Sequence, residues 1–374
     1  MRILPSAAIK YSLLCILLAA TIGGVFYFAQ FNNTGQPVFT GTVIRTETRE
    51  REEFGQMRLY HHIYAELNKG PSKDMIVEFE EPVENINPEF WVKKNTKILI
   101  SSFTDEQGED IFVLSDIDRR QPIYAIWILF VLFTVWVGRT KGLLAIAGML
   151  LTLAVIFLFI IPRLLDGADP VQTSIAGALF MLPTVLYLSH GFNKKSNIAA
   201  VSTALSVLLI VILYKFFGDI AFISGFSSEE TTHLPALLGS NDLRGILLAS
   251  IIIGAIGMLD DITVSQVSVV AELKTANERY GFKELWEGAM RVGRDHINAI
   301  INTLILAYTG ASFPLLILLY ANNQPGAITI SGEDVATEIL RALLGSIGIV
   351  AAVPITTFIA SAFFSGERHK TTQK

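Results

Sequence analysis

Two adjacent carboxylates, Asp260 and Asp261, follow the apolar run Ile251-Ile252-Ile253-Gly254-Ala255-Ile256-Gly257-Met258-Leu259. A charge near the centre of a bilayer costs about 2.5–3.5 kcal/mol on insertion scales, so such residues face a cavity or a partner. The helical pattern continues through Ile262-Thr263-Val264-Ser265-Gln266-Val267-Ser268-Val269-Val270-Ala271-Glu272. At 100° per residue, Asp261, Ser265, Ser268 and Glu272 share an arc of about 60° and form a polar stripe about 16 Å long. Thr275 extends the stripe, and Asp260 points elsewhere. A helix that leaves the membrane at Asp260 would also place these residues in water. Val264, Val267, Val269 and Val270 are too apolar for a fully solvated helix, so a half-buried helix lining a groove is expected.

A second stripe lies downstream. Asp295, Asn298, Asn302 and Thr309 fall on one helix face. Amides within a span either bond neighbouring helices or line a pathway. The two stripes together predict that their helices meet across something polar. Carboxylate and amide oxygens suit hard cations or protons, and no His or Cys joins them to make a soft-metal site. The candidate path is therefore Asp260, Asp261, Ser265, Ser268 and Glu272 with Asn298 and Asn302. Between the stripes, Phe282, Leu285, Trp286, Ala289 and Met290 repeat at helical spacing beside basic residues, a pattern of interfacial helices. His61-His62 and the acidic loop at Asp219, Glu229, Glu230, His233 and Asp242 match no metal-ligand spacing.

The elements that carry these residues follow from composition. The 374 residues are 51% hydrophobic and only 17% charged, and the mean hydropathy is +0.49. Soluble domains average about 25% charged residues, so the chain reads as a polytopic membrane protein. Eight runs approach the length of a spanning helix: Tyr11–Phe31, Ile123–Val137, Leu143–Ile161, Val171–Leu188, Ile198–Phe217, Ile246–Ile262, Ile297–Ala321 and Ile339–Phe364. With the N-terminus inside, Lys and Arg in the connections divide about fourteen inside to two outside, so both termini are expected in the cytoplasm. The first run is longer than a signal-peptide core and reads as an uncleaved anchor. The net charge of −5 argues against nucleic acid as a partner, and Cys15, the only cysteine, allows no intrachain disulfide.

The expected fold class is thus an α-helical polytopic protein of about eight transmembrane helices, with a small extracytoplasmic β-rich domain between the first and second. Residues 1–31 form the cytoplasmic start and anchor. Residues 32–120 form a β-barrel-like or sandwich domain, with β-rich runs at Val38–Ile44, Met75–Phe79, Thr96–Ile100 and Asp110–Leu114. Residues 121–374 form a seven-helix membrane domain with a cytoplasmic amphipathic segment at about 263–295.

Gly254-Ala255-Ile256-Gly257-Met258-Leu259-Asp260-Asp261-Ile262-Thr263-Val264-Ser265, with Ser268 and Glu272 after it, resembles the signature of the YibE/F-like bacterial membrane proteins. Asn302-Thr303-Leu304-Ile305-Leu306-Ala307-Tyr308 resembles it too. The resemblance implies a bacterial plasma-membrane protein of the same plan and no particular activity. That family has a small residue where this chain has Asp261, so either aspartate is open to a shared role.

Three functions are compatible with these residues. The first is a transporter or channel for a cation, proton or small solute. The second is an accessory or scaffold protein whose β-domain binds an envelope partner. The third is a Mg-dependent intramembrane transferase, because Gly257-Met258-Leu259-Asp260-Asp261 looks locally like the paired aspartates of polyprenyl-phosphate phosphoglycosyltransferases. The further Asp- and Asn-rich loop motif of those enzymes is missing, so an enzyme is not the expected reading. No cofactor is expected.

Overall fold

The computed structural model describes residues 38–53, 56–68, 73–82, 92–104, 110–226, 234–237, 242–321 and 325–366. The anchor expected at Tyr11–Phe31 and the loop residues Glu229, Glu230 and His233 lie outside them. The chain divides into two units, Met1–Arg139 and Thr140–Lys374.

In the first unit, five antiparallel strands form one sheet: β1 (Val38–Glu53), β2 (Gln56–Leu67), β3 (Ile76–Pro82), β4 (Lys97–Thr104) and β5 (Asp110–Ile117), ordered β3-β2-β1-β4-β5. The long β1 is shared: Val38–Thr42 pair with β4, and Gly41–Glu53 pair with β2. A register shift between Val43 and Arg45 accompanies the change of partner, which is how a bulge bends a strand. Edge strands β3 and β5 also touch, so the sheet is curled. Val43, Ile63, Ala65, Leu67, Phe79, Ile98 and Ile100 fill its concave face. Gly41 permits that packing, since a Cβ there would sit 2.6 Å from Ile100 Cδ1.

Residues 45–67 do not show the apolar alternation of an ordinary strand pair, yet they form the β1–β2 hairpin. Charge pairs replace apolar ones on its outer face. Strand alternation turns His61 inward and His62 outward, so the pair lies in a strand and not in a loop. His62 Nδ1 meets Glu78 Oε1 at 2.9 Å, and Tyr64 Oη donates to the same oxygen at 2.9 Å. These hydrogen bonds, that of His62 first, hold the Glu78 carboxyl below its usual range. Where β5 ends, Arg120 Nε and Nη2 donate to the two Asp118 oxygens at 2.7 and 2.8 Å. This fork fixes the strand exit to the start of the next helix and lowers the Asp118 pKa.

That helix, α1 (Arg120–Val155), is broken at Arg139, where φ is 50° and ψ is −128°. A π turn at Ile156–Ile160 leads into α2 (Ile161–Leu165). As one rod, the 46 residues from Arg120 to Leu165 would measure about 69 Å at 1.5 Å per residue, over twice the hydrocarbon thickness. The second unit continues with α3 (Pro170–His190), α4 (Lys194–Ile220), α5 (Leu243–Ala276), α6 (Phe282–Ala311), α7 (Phe313–Ala321), α8 (Gly326–Ser331) and α9 (Glu333–Gly366). Among the described residues, five helices are long and apolar enough to cross a membrane, and six if α6 and α7, bent by 65° at their junction, count as one.

Helix α5 is central, packed on α3, α4, α6 and α9. Ile251, Ile252, Ala255, Ile256, Leu259 and Ile262 make its contribution to the main core, with Ile210 of α4 and Leu344, Ile349 and Val353 of α9. The bundle is inverted relative to a soluble one. Helix α4 turns Val201, Leu205, Leu208, Ile212 and Phe216 outward and buries Ser202, Thr203 and Ser206. Those hydroxyls donate to carbonyls one turn back, at 2.8 to 3.0 Å, as polar groups in an apolar medium must. Helices α4 and α9 cross at Gly348, where a Cβ would run into Ile210.

Two outcomes follow. Gly348→Leu overpacks the α4–α9 crossing and lowers stability by about 1–3 kcal/mol, read as a lower melting temperature of the purified protein in detergent. Asp118→Asn lowers the melting temperature at pH 7. Because the folded-state pKa of Asp118 is depressed, this contribution is present above the ordinary carboxylate pKa and is lost as pH falls through the lowered value. The wild-type and variant melting curves therefore converge in acid.

Candidate functional site

The α5–α6 pair is a helical hairpin. Asp242 caps α5 by accepting the Gly245 N–H at 2.9 Å. Lys274 Nζ closes the turn by donating to the carbonyls of Glu278 and Tyr280 at 2.8 and 2.9 Å. Glu284 accepts the Gly281 N–H at 3.0 Å and opens α6. The segment expected at about 263–295 falls on two helices, the C-terminal part of α5 and the N-terminal part of α6, each continuous with an apolar run. Stacked Phe282 and Trp286, with Phe358 of α9 against both, cover that end.

Helix α5 leaves one strip of its surface open. From 250 to 275 its exposed positions are Ser250, Gly254, Gly257, Asp261, Ser265, Glu272 and Thr275, and Ser268 is half-buried on the same line. None is a large apolar residue. On α4 and α9, by contrast, many outward positions are large and apolar, among them Val201, Leu205, Leu208 and Ile212 of α4 and Leu343, Ile347 and Phe358 of α9. Gly257 has nothing within 4 Å of its would-be Cβ. At the inner end Glu272 pairs with Lys195 of α4 at 3.5 Å. Both are exposed, so the pair adds little stability.

The second stripe is brought to the same level and also faces outward. Gly254 lies beside Tyr308, whereas Gln266 lies against Ala289 and Gly293. The antiparallel hairpin therefore sets Asp260 and Asp261 level with Asn298–Asn302. Asn298 and Asn302 are exposed, as are Asp295 and Thr309. The seven expected residues thus lie on two adjacent helices: Asp261, Ser265 and Glu272 of α5 and Asn298 and Asn302 of α6 are exposed, and Asp260 and Ser268 are half-buried. Asp260 departs from the strip. It is turned partly into the bundle, and its Oδ1 is buried with no hydrogen-bond partner.

Sequence reasoning missed a polar layer on the other side of α5. Thr263 Oγ1 lies 3.0 Å from Thr203 Oγ1 of α4. Gln266, 4% exposed, donates through Nε2 to the Ala289 carbonyl at 2.9 Å and to Thr357 Oγ1 at 2.7 Å. One amide thus ties α5 to both α6 and α9. Thr263 and Gln266 are three residues apart and so share a face. That i, i+3 polar pair, about 170° from Asp261 at its centre, was the available signal. Also missed was the ion pair Arg341–Glu338 at 2.6 Å, at the start of the last apolar run. Glu338 Oε2 accepts from Ser312 at 3.3 Å, where α6 gives way to α7. Among the described residues no group of three or more His, Cys, Asp or Glu is placed to hold a metal ion.

Long apolar helices with inverted polarity, together with a small β-sheet unit, define a multi-span α-helical membrane protein. The family model described as YibE/F-like protein matches residues 126–366, and the chain belongs to that family. No curated protein and no solved structure matches it.

Gln266→Leu deletes the tie among α5, α6 and α9 and lowers stability by about 1 kcal/mol, the net worth of a buried hydrogen bond. Gln266→Glu turns a carboxylate toward the Ala289 carbonyl and lowers it further. Thermal unfolding of the two variants in one detergent gives the order.

Proposed function

We propose that the chain is a transporter or channel that passes a cation, proton or small solute along the open strip of α5 and the adjoining face of α6. One observation carries this reading: the outward positions of α5 between 250 and 275 are small or polar, whereas α4 and α9, packed on it, turn Leu, Ile, Val and Phe outward. Lipid contact does not favour such a surface, and water or a solute does. Asp261, Ser265, Ser268 and Glu272 supply oxygens along one wall, with Asn298 and Asn302 along the other. Eight spans are proposed, with the Arg139 break separating the second from the third and the α6–α7 bend lying within the seventh. Both termini are proposed to be cytoplasmic and residues 32–120 extracytoplasmic, in a bacterial plasma membrane.

A second reading, an accessory protein whose β-domain binds an envelope partner, is favoured by a separate observation. Phe103, Ile111 and Val113 are exposed on one face of β4–β5. A stoichiometric partner retained through purification from native membranes, with no flux by the isolated chain, would favour it.

Gly257 gives the direct test of the first reading. A leucine there meets open space, improves helix propensity and fills the strip. Gly257→Leu in proteoliposomes should lower proton or alkali-cation flux at least tenfold without lowering the melting temperature. Unchanged flux would remove the strip from the path.

A further inference from the structure

We propose that a groove between the end of the first membrane helix and α3 seats an acyl chain of an anionic phospholipid, whose phosphate is taken by Arg163.

The groove lies where two irregular turns meet. The π turn at Ile156–Ile160 holds one residue more than an α-helical turn. Pro183, inside α3, has no N–H to give to the turn before it. Between them is a cavity of about 330 Å³, lined by Leu151, Val155, Leu158, Phe159, Phe180 and Val185. Leu151, Leu158 and Phe180 are exposed, so it opens to the surroundings of the bundle. Its two threonines are satisfied within their own helices. Thr152 Oγ1 donates to the Gly148 carbonyl at 3.1 Å, and Thr184 Oγ1 to the Phe180 carbonyl at 2.6 Å. Walls of this kind hold an apolar occupant and not water.

Arg163 supplies the charge above the groove. Its guanidinium lies over the Phe159 ring, 4.8 Å from the centroid, one turn back from its own Cα. Phe159 packs edge-on against Phe180 across the groove. Arg244 and Arg341 are each held by a carboxylate. Arg163 is held by a ring, and among the described residues no carboxylate pairs with it. Asp166 and Asp169 follow in the turn to α3, where Asp169 accepts the Gln172 N–H at 2.8 Å as the helix cap.

Depth completes the fit. At 1.5 Å per residue, Phe159 to Leu151 lie about 6 to 18 Å along the helix from Arg163. One leaflet of hydrocarbon is about 15 Å deep. A cation at headgroup level thus stands over a groove at acyl-chain level. A zwitterionic lipid brings its own cation beside the phosphate, so an anionic lipid is preferred. A free phosphate would meet Arg163 alone and leave the groove unfilled.

Quenching of a tryptophan in the groove tests this on the full chain in liposomes. Phe180→Trp supplies the reporter, read as the difference from the parent, none of whose four tryptophans lines the groove. Phosphatidylglycerol and phosphatidylcholine, each brominated on the acyl chain, are titrated in turn against unbrominated phosphatidylcholine. The expected result is quenching by both, with phosphatidylglycerol favoured about fivefold, the worth of one basic side chain beside anionic lipid. Arg163→Gln in the reporter background should abolish that preference and leave the quenching. Inorganic phosphate at matched ionic strength should not change it. Equal quenching by the two lipids in the reporter protein would overturn the proposal, and decides the matter even if Arg163→Gln fails to fold. A preference that survives Arg163→Gln overturns it too, and one that phosphate removes assigns Arg163 to a free anion instead. Quenching by neither lipid, with the chain running as a dimer in mild detergent, gives the groove to a second copy.

Discussion

Helix α5 is held on three sides and left bare on one, and the membrane unit is organised around that asymmetry. Its buried sides meet α3, α4, α6 and α9. Isoleucines and leucines supply the area, but apolar contact does not fix register in a lipid solvent, where tails are as apolar as the side chains. Register comes from the polar layer. The Thr203–Thr263 contact and the Gln266 amide, which reaches both the Ala289 carbonyl and Thr357, allow few alternative alignments. Sliding any of these helices by one turn would leave a donor without an acceptor in a region without water.

The open side follows from the same helix geometry. An α-helix surrounded on about 300° retains one strip about 60° wide, and i, i+3, i+4 spacing decides which residues occupy it. Here that strip carries glycine, serine and carboxylate. The contrast between Gly348, where a Cβ meets Ile210, and Gly257, where it meets nothing, separates two uses of glycine in one bundle. One allows close helix approach. The other keeps a surface clear.

Much of this was legible because spans and stripes are periodic. The apolar runs mark the helices, and Asp261, Ser265, Ser268 and Glu272 fall on the open strip as their 100° spacing requires. What escaped was polar or charged sequence that folding pairs at a distance. The second half of β1 alternates Arg, Glu and Thr, and β2 mixes Arg, His and Tyr with its apolar residues, so a period-2 apolar signal is weak there. Their pairing shows in contacts such as His62–Glu78. Arg341 stands alone among the apolar residues at the start of the last run, and its partner Glu338 lies just before that run. Thr263 and Gln266 are two polar residues on a face otherwise filled by Leu259, Ile262, Val267 and Val270, too few to make a stripe.

The two aspartates show why adjacency in sequence is not equivalence in structure. One residue of helical rotation, 100°, moves a side chain from the open strip to the flank of the bundle. Asp261 is exposed on the strip, whereas Asp260 is partly buried and has one oxygen in an unpaired, shielded position. Two identical side chains thus meet two environments, and the packing of α5 on its neighbours, not the residue type, decides which carboxylate meets which.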